Sequence, residues 1–238
     1  MASTDVLTAG LENISDSPNF TRWMYEKIKP FIEGDILEVG SGIGVFSRFL
    51  YRDFSGKLYL TDINPHYLAL LRNRFRDARV IVQKLDLSSQ GDFQQLGQRF
   101  DTVVCMNVLE HIKDDTLALS RIREVLNEHG SLIVLVPVHR FLYNTIDVAL
   151  GHYRRYARGE LTSKLVNAGF TIYTVFYHDI FGIPGWYVNG NLLRKPLVNR
   201  SAFRYFDRLV PILRLLEAGP LVGTGISIIA ICKGRLMM

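Results

Sequence analysis

The chain has 238 residues, 48% of them hydrophobic and 21% charged, which fits one α/β domain with an elaboration and excludes a disordered chain. Lys and Arg outnumber Asp and Glu by 28 to 23, and a net charge of +5 is too small to argue for nucleic acid on its own. Two cysteines, Cys105 and Cys232, lie far apart inside apolar runs, which excludes a disulfide framework or a CxxC metal site; both read as reduced, buried thiols, and no metal is expected.

The opening residues, MASTDVLTAGLENISDS, lack a basic start followed by an apolar stretch, so no secretory signal is expected. The longest apolar runs, 132–138 and 221–232, fall short of the roughly eighteen residues of a membrane span and suit buried strands. DILEVG reads as a strand and VFSRFLYRDF as a helix ending before Gly56. KLYLTDI is a second strand, followed by the helix PHYLALLRNRFRDA with Pro65 at its start, where a missing N–H costs nothing. RVIVQKLDL and FDTVVCMNV are the third and fourth strands. DDTLALSRIREVLNEHG reads as one helix closed by Gly130, and LIVLVPV as the fifth strand. Unbroken Val, Ile and Leu runs indicate strands covered on both faces, hence a mostly parallel, doubly wound sheet. Residues 139–158 are rich in aromatics and arginines without a clean period. GELTSKLVNAGF is a helix ending at Gly169, TIYTVFYHDI a strand, 181–220 an insertion, and GISIIAIC the last strand.

LEVGSGIGVFS carries the sharpest signal: a buried strand runs into Gly40, Ser41, Gly42 and Gly44 and then into a helix. Glycines there permit positive φ and a close approach of ligand to backbone. The spacing is GxGxG, not the GxGxxG of dinucleotide folds, and no GKS or GKT follows. Glu38, two residues ahead of the first glycine, would repel a pyrophosphate but could hold an ammonium group. Asp62 ends the second strand about twenty residues on, where a carboxylate accepts both ribose hydroxyls. Asp86, at the end of the third strand, can accept from an adenine amino group, with Leu87 packing beside the ring.

Together these residues resemble the class I S-adenosylmethionine-dependent methyltransferases. LEVGSGIG looks like that family's first motif, TDIN its second-strand acid, KLDL its third-strand acid and DTVVCMNVLEHIKDD its fourth-strand motif, over residues 19–138. The resemblance implies a Rossmann-like, seven-stranded methyltransferase fold with a helical insertion before the last strand. It implies a helical cover at 1–34 on a cofactor domain at 35–238. S-adenosylmethionine would be the cofactor and S-adenosylhomocysteine the product. Glu38 and the glycine turn would hold its amino-acid part, Asp62 with Ile63 the ribose side, and Asp86 with Leu87 the adenine. Asn107, Val108 and the residues through Glu110 would line the floor near the methyl group, with His111 beside them. The helix in NFTRWMYEKIKPFIEG would cover the cofactor and place Trp23 or Tyr25 against it, or simply pack on the sheet.

Methyl transfer from a sulfonium requires alignment, and a base only where the acceptor must lose a proton. His139, just after the fifth strand, and His152, in the loop beyond, are the candidate bases. GHYRRYARGELTSKL sets Tyr153, Arg154, Arg155 and Tyr156 at the expected acceptor edge, where guanidinium groups would bind a carboxylate or phosphate. Trp186 in FGIPGWYVNGN would wall the acceptor pocket. Residues 194–216 combine six basic residues with Phe203, Phe206, Val210 and Leu213 at helical spacing, a pattern that suits an anionic membrane surface, a lid or a homodimer face. Pro211 is expected to split this stretch into two short helices. These residues point to a cytoplasmic enzyme, resting at most on the inner membrane surface, with a small-molecule or lipid-linked, anionic acceptor and no nucleic-acid partner. An RNA methyltransferase and a non-catalytic cofactor-binding scaffold are the alternatives.

Overall fold

Seven strands and ten α-helices are present in a computed structural model that describes residues 4–217 and 223–234. Helices α1 (Thr4–Ser15) and α2 (Pro18–Ile28) precede β1 (Ile36–Val39), α3 (Ser47–Asp53), β2 (Leu58–Asp62), α4 (Pro65–Arg74) and β3 (Val80–Lys84). Next come α5 (Gln90–Gln94), β4 (Phe100–Met106), α6 (Asp115–Val125), β5 (Leu126–Pro137), α7 (Thr145–Leu150) and α8 (Arg158–Asn167). The chain continues through β6 (Phe170–His178), α9 (Gly182–Tyr187), α10 (Arg200–Glu217) and β7 (Ser227–Gly234). Residues 218–220 of the expected insertion and the first two residues of the 221–232 run lie outside the described residues.

The strand order is β3-β2-β1-β4-β5-β7-β6. Strands β1 to β5 pair in parallel, and β7 runs antiparallel between β5 and β6. All four residues of β1 are buried, because helices cover both faces. Leu37 and Val39 point into a core with Phe100, Leu119, Ile122 and Leu165. Ile36 points into the opposite core with Met24, Ile28, Phe49 and Leu71. Burying each such side chain is worth about 1.5–3 kcal/mol, so a strand sealed on both sides has little freedom to slip. Chain order reverses between neighbouring β1 and β4, and ligands of open α/β sheets bind at the carboxyl ends beside such a reversal. Cys105 and Cys232 are free and buried in one core, as their apolar settings indicated.

Three local expectations change. The helix expected to close on Gly130 stops at Val125, and Leu126 already pairs with Phe100 of β4. Gly130 caps nothing; a Cβ there would lie 3.0 Å from the Asp101 carbonyl oxygen and 2.9 Å from Leu126 Cγ, so glycine permits close strand approach. Within 139–158, a short helix α7 forms because Asn144 and Asp147 make a reciprocal capping box. Finally, α10 passes through Pro211 unbroken. Proline leaves the Asp207 carbonyl without its helical donor, and Asn19 Nδ2 supplies one at 3.2 Å.

Candidate functional site

The turn after β1 is held open by its own backbone: Gly40, Gly42 and Gly44 have φ of 69°, 52° and 81°. A Cβ on Gly40 would lie 2.5 Å from Val108, so β4's continuation presses directly on this turn. Ser41 ties the turn to β2, its N–H donating to the Thr61 carbonyl at 2.8 Å and its hydroxyl accepting from Thr61 N–H at 3.1 Å. Asp62 is buried, with Oδ2 accepting from Gly42 N–H at 2.9 Å and Oδ1 from Asn64 N–H at 2.8 Å. Burial raises its pKa against these hydrogen bonds. Ile63 beside it is 58% exposed, an uncovered apolar face next to the acid. Asp86 is half-buried and accepts from Ser88 N–H, while Leu87 is buried.

Glu38 lies beneath the turn, where Ser47 Oγ donates to its carboxylate. Burial, partly offset by the Ser47 and Ser41 hydrogen bonds, raises its pKa to about 7. No ion-pair partner reaches it among the described residues. This edge therefore offers buried carboxylates, a glycine turn without side chains and an exposed apolar face in one place. That donor set fits a molecule bearing an ammonium, a ribose and an aromatic ring.

The cover over this turn comes from α1, inside the expected cover at 1–34 but ahead of the helix expected to lie on the cofactor. Leu11 of α1 overlies Gly42, and Thr8 and Tyr67 share a hydroxyl–hydroxyl bond of 2.8 Å. Trp23 of α2, expected at the cofactor, instead meets His178 at 4.4 Å between ring centroids, with Lys27 Nζ above it. Tyr25 stacks on Phe49 and donates to Asp53.

A second polar group follows β4. Asn107 has φ of 54°, a conformation asparagine tolerates, and the chain then turns through Glu110 and His111. Tyr153 N–H donates to the Glu110 carbonyl at 2.7 Å and brings the loop with His152 alongside. His152 Nδ1 lies 2.8 Å from Asp147 Oδ1, which leaves Nε2 as the basic nitrogen, 4.0 Å from Glu110 Oε1. His111 and His152 meet edge to face at 4.7 Å. Both carboxylate oxygens of Glu110 are buried without a hydrogen-bond partner, and burial raises its pKa to about 7. Burial and the neighbouring His152 lower that of His111 to about 4. For Asp147, burial is outweighed by the His152 hydrogen bond and the Arg155 charge, and its pKa falls. The Asn144–Asp147 spacing is a legible capping box; that the same aspartate orients a histidine five residues on is visible only in three dimensions.

These side chains floor a cavity of about 310 Å³. Its walls are Leu11 and Ile14 of α1, Met24 of α2, Ile146 of α7, Trp186 of α9, and Phe203 and Phe206 of α10. The expected acceptor residues divide. Arg155 lines the cavity, but its Nε is bonded to Asp147, its Nη1 to the Val138 carbonyl, and its guanidinium stacks on Trp186. Arg154 turns away to Asp115 and the Lys113 carbonyl, because buried Asp115 needs a counter-charge. Tyr156 is wholly buried in the core and donates to Asp115. Tyr153 is exposed. His139 also leaves the group: its Nε2 bonds Thr224 at 2.7 Å and its ring stacks on Tyr177.

Residues 37–132 match the family described as "Methyltransferase domain". Among curated proteins, "Probable polyketide synthase 42" of Dictyostelium discoideum is 29% identical over 153 residues, covering 54% of this chain and 6% of that protein. "Ubiquinone biosynthesis O-methyltransferase" of Azorhizobium caulinodans is 32% identical over 102 residues, covering 42% of this chain and 38% of that one. The chain therefore spans well under half the length of these relatives. The solved structure of an S-adenosylmethionine dependent methyltransferase from Mesorhizobium loti superposes with a TM-score of 0.62 at 13% identity, covering 89% of this chain and 97% of that one. That likeness carries the architecture alone.

Proposed function

We propose that this chain, a class I S-adenosylmethionine-dependent methyltransferase by fold and by its 37–132 segment, methylates a small or lipid-linked acceptor whose body is largely apolar. The observation that carries this reading is the apolar-walled cavity with Glu110, His111 and His152 on its floor, joined through Val108 to the glycine turn. S-adenosylmethionine, the cofactor that the family match supports, supplies when bound a methyl group already activated on a sulfonium. Asp62 accepts the ribose hydroxyls, and Ile63 offers its exposed face to the ring. Glu38 draws the ammonium toward the turn. The cavity walls exclude water and hold the acceptor in line for displacement. His152 Nε2 receives the acceptor's proton, while Asp147 fixes the tautomer and stabilises the resulting imidazolium.

Of the two arginines that would clamp an anionic acceptor group, Arg154 is engaged by Asp115 and the Lys113 carbonyl, and Arg155 alone lines the cavity. Enclosed apolar walls also suit this acceptor class better than an RNA. With a panel of phenolic and polyprenyl acceptors, His152→Ala is expected to lower kcat at least 100-fold, roughly the lower end of general-base effects, with cofactor affinity intact. Unchanged turnover would contradict the assignment.

No helix among the described residues is long and apolar enough to cross a membrane. The outer face of α10 nevertheless exposes Tyr205, Ile212, Leu215 and Leu216 beside Arg208, which has no ion-pair partner among the described residues. A basic, apolar face of this kind supports peripheral docking on anionic lipid, from which an acceptor would enter. Co-sedimentation with phosphatidylglycerol vesicles, lost in Ile212→Glu/Leu215→Glu, is the expected result; equal sedimentation of both proteins would refute it.

A further inference from the structure

We infer that Glu110, His111 and His152 form a binding site for one divalent transition-metal ion on the floor of the cavity. One ligand atom from each of the three lies within 4.8 Å of the others. Two imidazoles and a carboxylate suit zinc, manganese or iron, and leave positions open for an acceptor or water. Closing around an ion with bonds of about 2.1 Å asks these side chains to move together by about 1 Å, within the reach of small rotamer changes.

Glu110 supplies the independent sign. Its carboxylate is fully buried, faces the cavity and has no hydrogen-bond partner at either oxygen. A buried carboxylate is costly unless a cation or donors compensate it. The nearest guanidinium, Arg155, cannot serve, because its Nε lies 2.9 and 3.0 Å from the two oxygens of Asp147. His152 carries the outer partner that metal-ligating imidazoles usually have: it is held through Nδ1 by Asp147, leaving Nε2 toward Glu110. The Tyr153 N–H to Glu110 carbonyl bond fixes the two contributing segments against each other.

The ion's use in methyl transfer rests on the function proposed above; its binding does not. With an ion in place, His152 Nε2 is taken up as a ligand, so the base role given to it above holds only for the metal-free site. An acceptor hydroxyl on the ion would become more acidic; its proton would pass to a water held in an open coordination position, and its oxygen lone pair would attack the methyl carbon as the carbon–sulfur bond breaks.

The test is calorimetric titration of Zn2+ into the chelator-treated, tag-free full chain, with Co2+ absorption as a spectroscopic readout. One equivalent is expected to bind, with a rise in Tm that EDTA reverses. Glu110→Gln and His152→Ala should each weaken binding at least 100-fold. Asp147→Asn, which leaves all three ligands, should weaken it by about 10–100-fold. His139→Ala, outside the cluster, should bind as the parent does. Circular dichroism of each variant separates lost binding from lost folding. No stoichiometric binding to the folded parent, or equal binding by folded Glu110→Gln, overturns the site. Methyl transfer by parent enzyme that takes up no zinc would remove the metal and leave the function standing. Zinc binding with no transfer to any acceptor would keep the site and remove the function.

Discussion

Glu38 and Asp62 are both carboxylates at strand ends, yet the structure gives them different work. Asp62 spends one bond per oxygen on the amides of Gly42 and Asn64 and retains lone pairs for hydroxyls. Glu38 is sealed beneath the turn with a serine and no cation. Its folded pKa of about 7 exceeds the ordinary value of 4.5, so the folded state favours the protonated form. Stability from this group is complete below about pH 4.5 and is lost as pH rises through about 7. In cofactor-free protein, Glu38→Gln should therefore gain on the parent by on the order of 3 kcal/mol between pH 4 and pH 8.5. Denaturant midpoints at the two pH values measure this, and a pH-independent difference would contradict the burial argument. The glycine turn and the two acids were legible because strand–turn–helix spacing places them. The arginines were not: their partners, Asp115, 39 residues before Arg154, and Asp147, eight before Arg155, are set by tertiary packing.

Helix α10 shows how an element escapes its local sequence. Pro211 predicts a break, and the break is prevented from outside the helix, by Asn19 bonding the orphaned Asp207 carbonyl. The Asp207 carboxylate returns the contact, accepting from Phe20 N–H at 2.8 Å and from Asn19 Nδ2 at 3.1 Å at the start of α2. A carboxylate at a helix N-terminus satisfies free amides and meets the positive end of the helix. Asp207→Ala should lower unfolding free energy by about 1–3 kcal/mol, with an unchanged m-value, and should raise the acceptor KM, because α2 and α10 both wall the cavity. Parent-like stability would show that the two helices hold together without this bond. The 3.6-residue period of Phe203, Phe206, Val210 and Leu213 was readable from sequence; the contact 188 residues away was not.

At the scale of the whole molecule, the sheet was legible because its strands are continuous apolar runs, and burial on both faces leaves few other arrangements. The reversal between β1 and β4 then places the glycine turn, Asp62, Asn107 and Glu110 on one edge from distant parts of the chain. What sequence could not give is the cavity. It is assembled from α1, α2, α7, α9 and α10, helices from distant parts of the chain whose inner faces become apolar walls only once they dock. The cover at Gly42 is the sharpest case, since Leu11 lies in a stretch without a recognised motif.

That edge is expected to receive a nucleoside that carries a cationic amino acid. Isothermal titration of the full chain with S-adenosylhomocysteine, and separately with NAD, tests it most directly. One-to-one binding of S-adenosylhomocysteine, weakened at least ten-fold in Asp62→Ala by the loss of hydrogen bonds worth roughly 1.5–3 kcal/mol each, with no heat from NAD, is the predicted result. A folded parent that ignores S-adenosylhomocysteine, or binds NAD in its place, would contradict it.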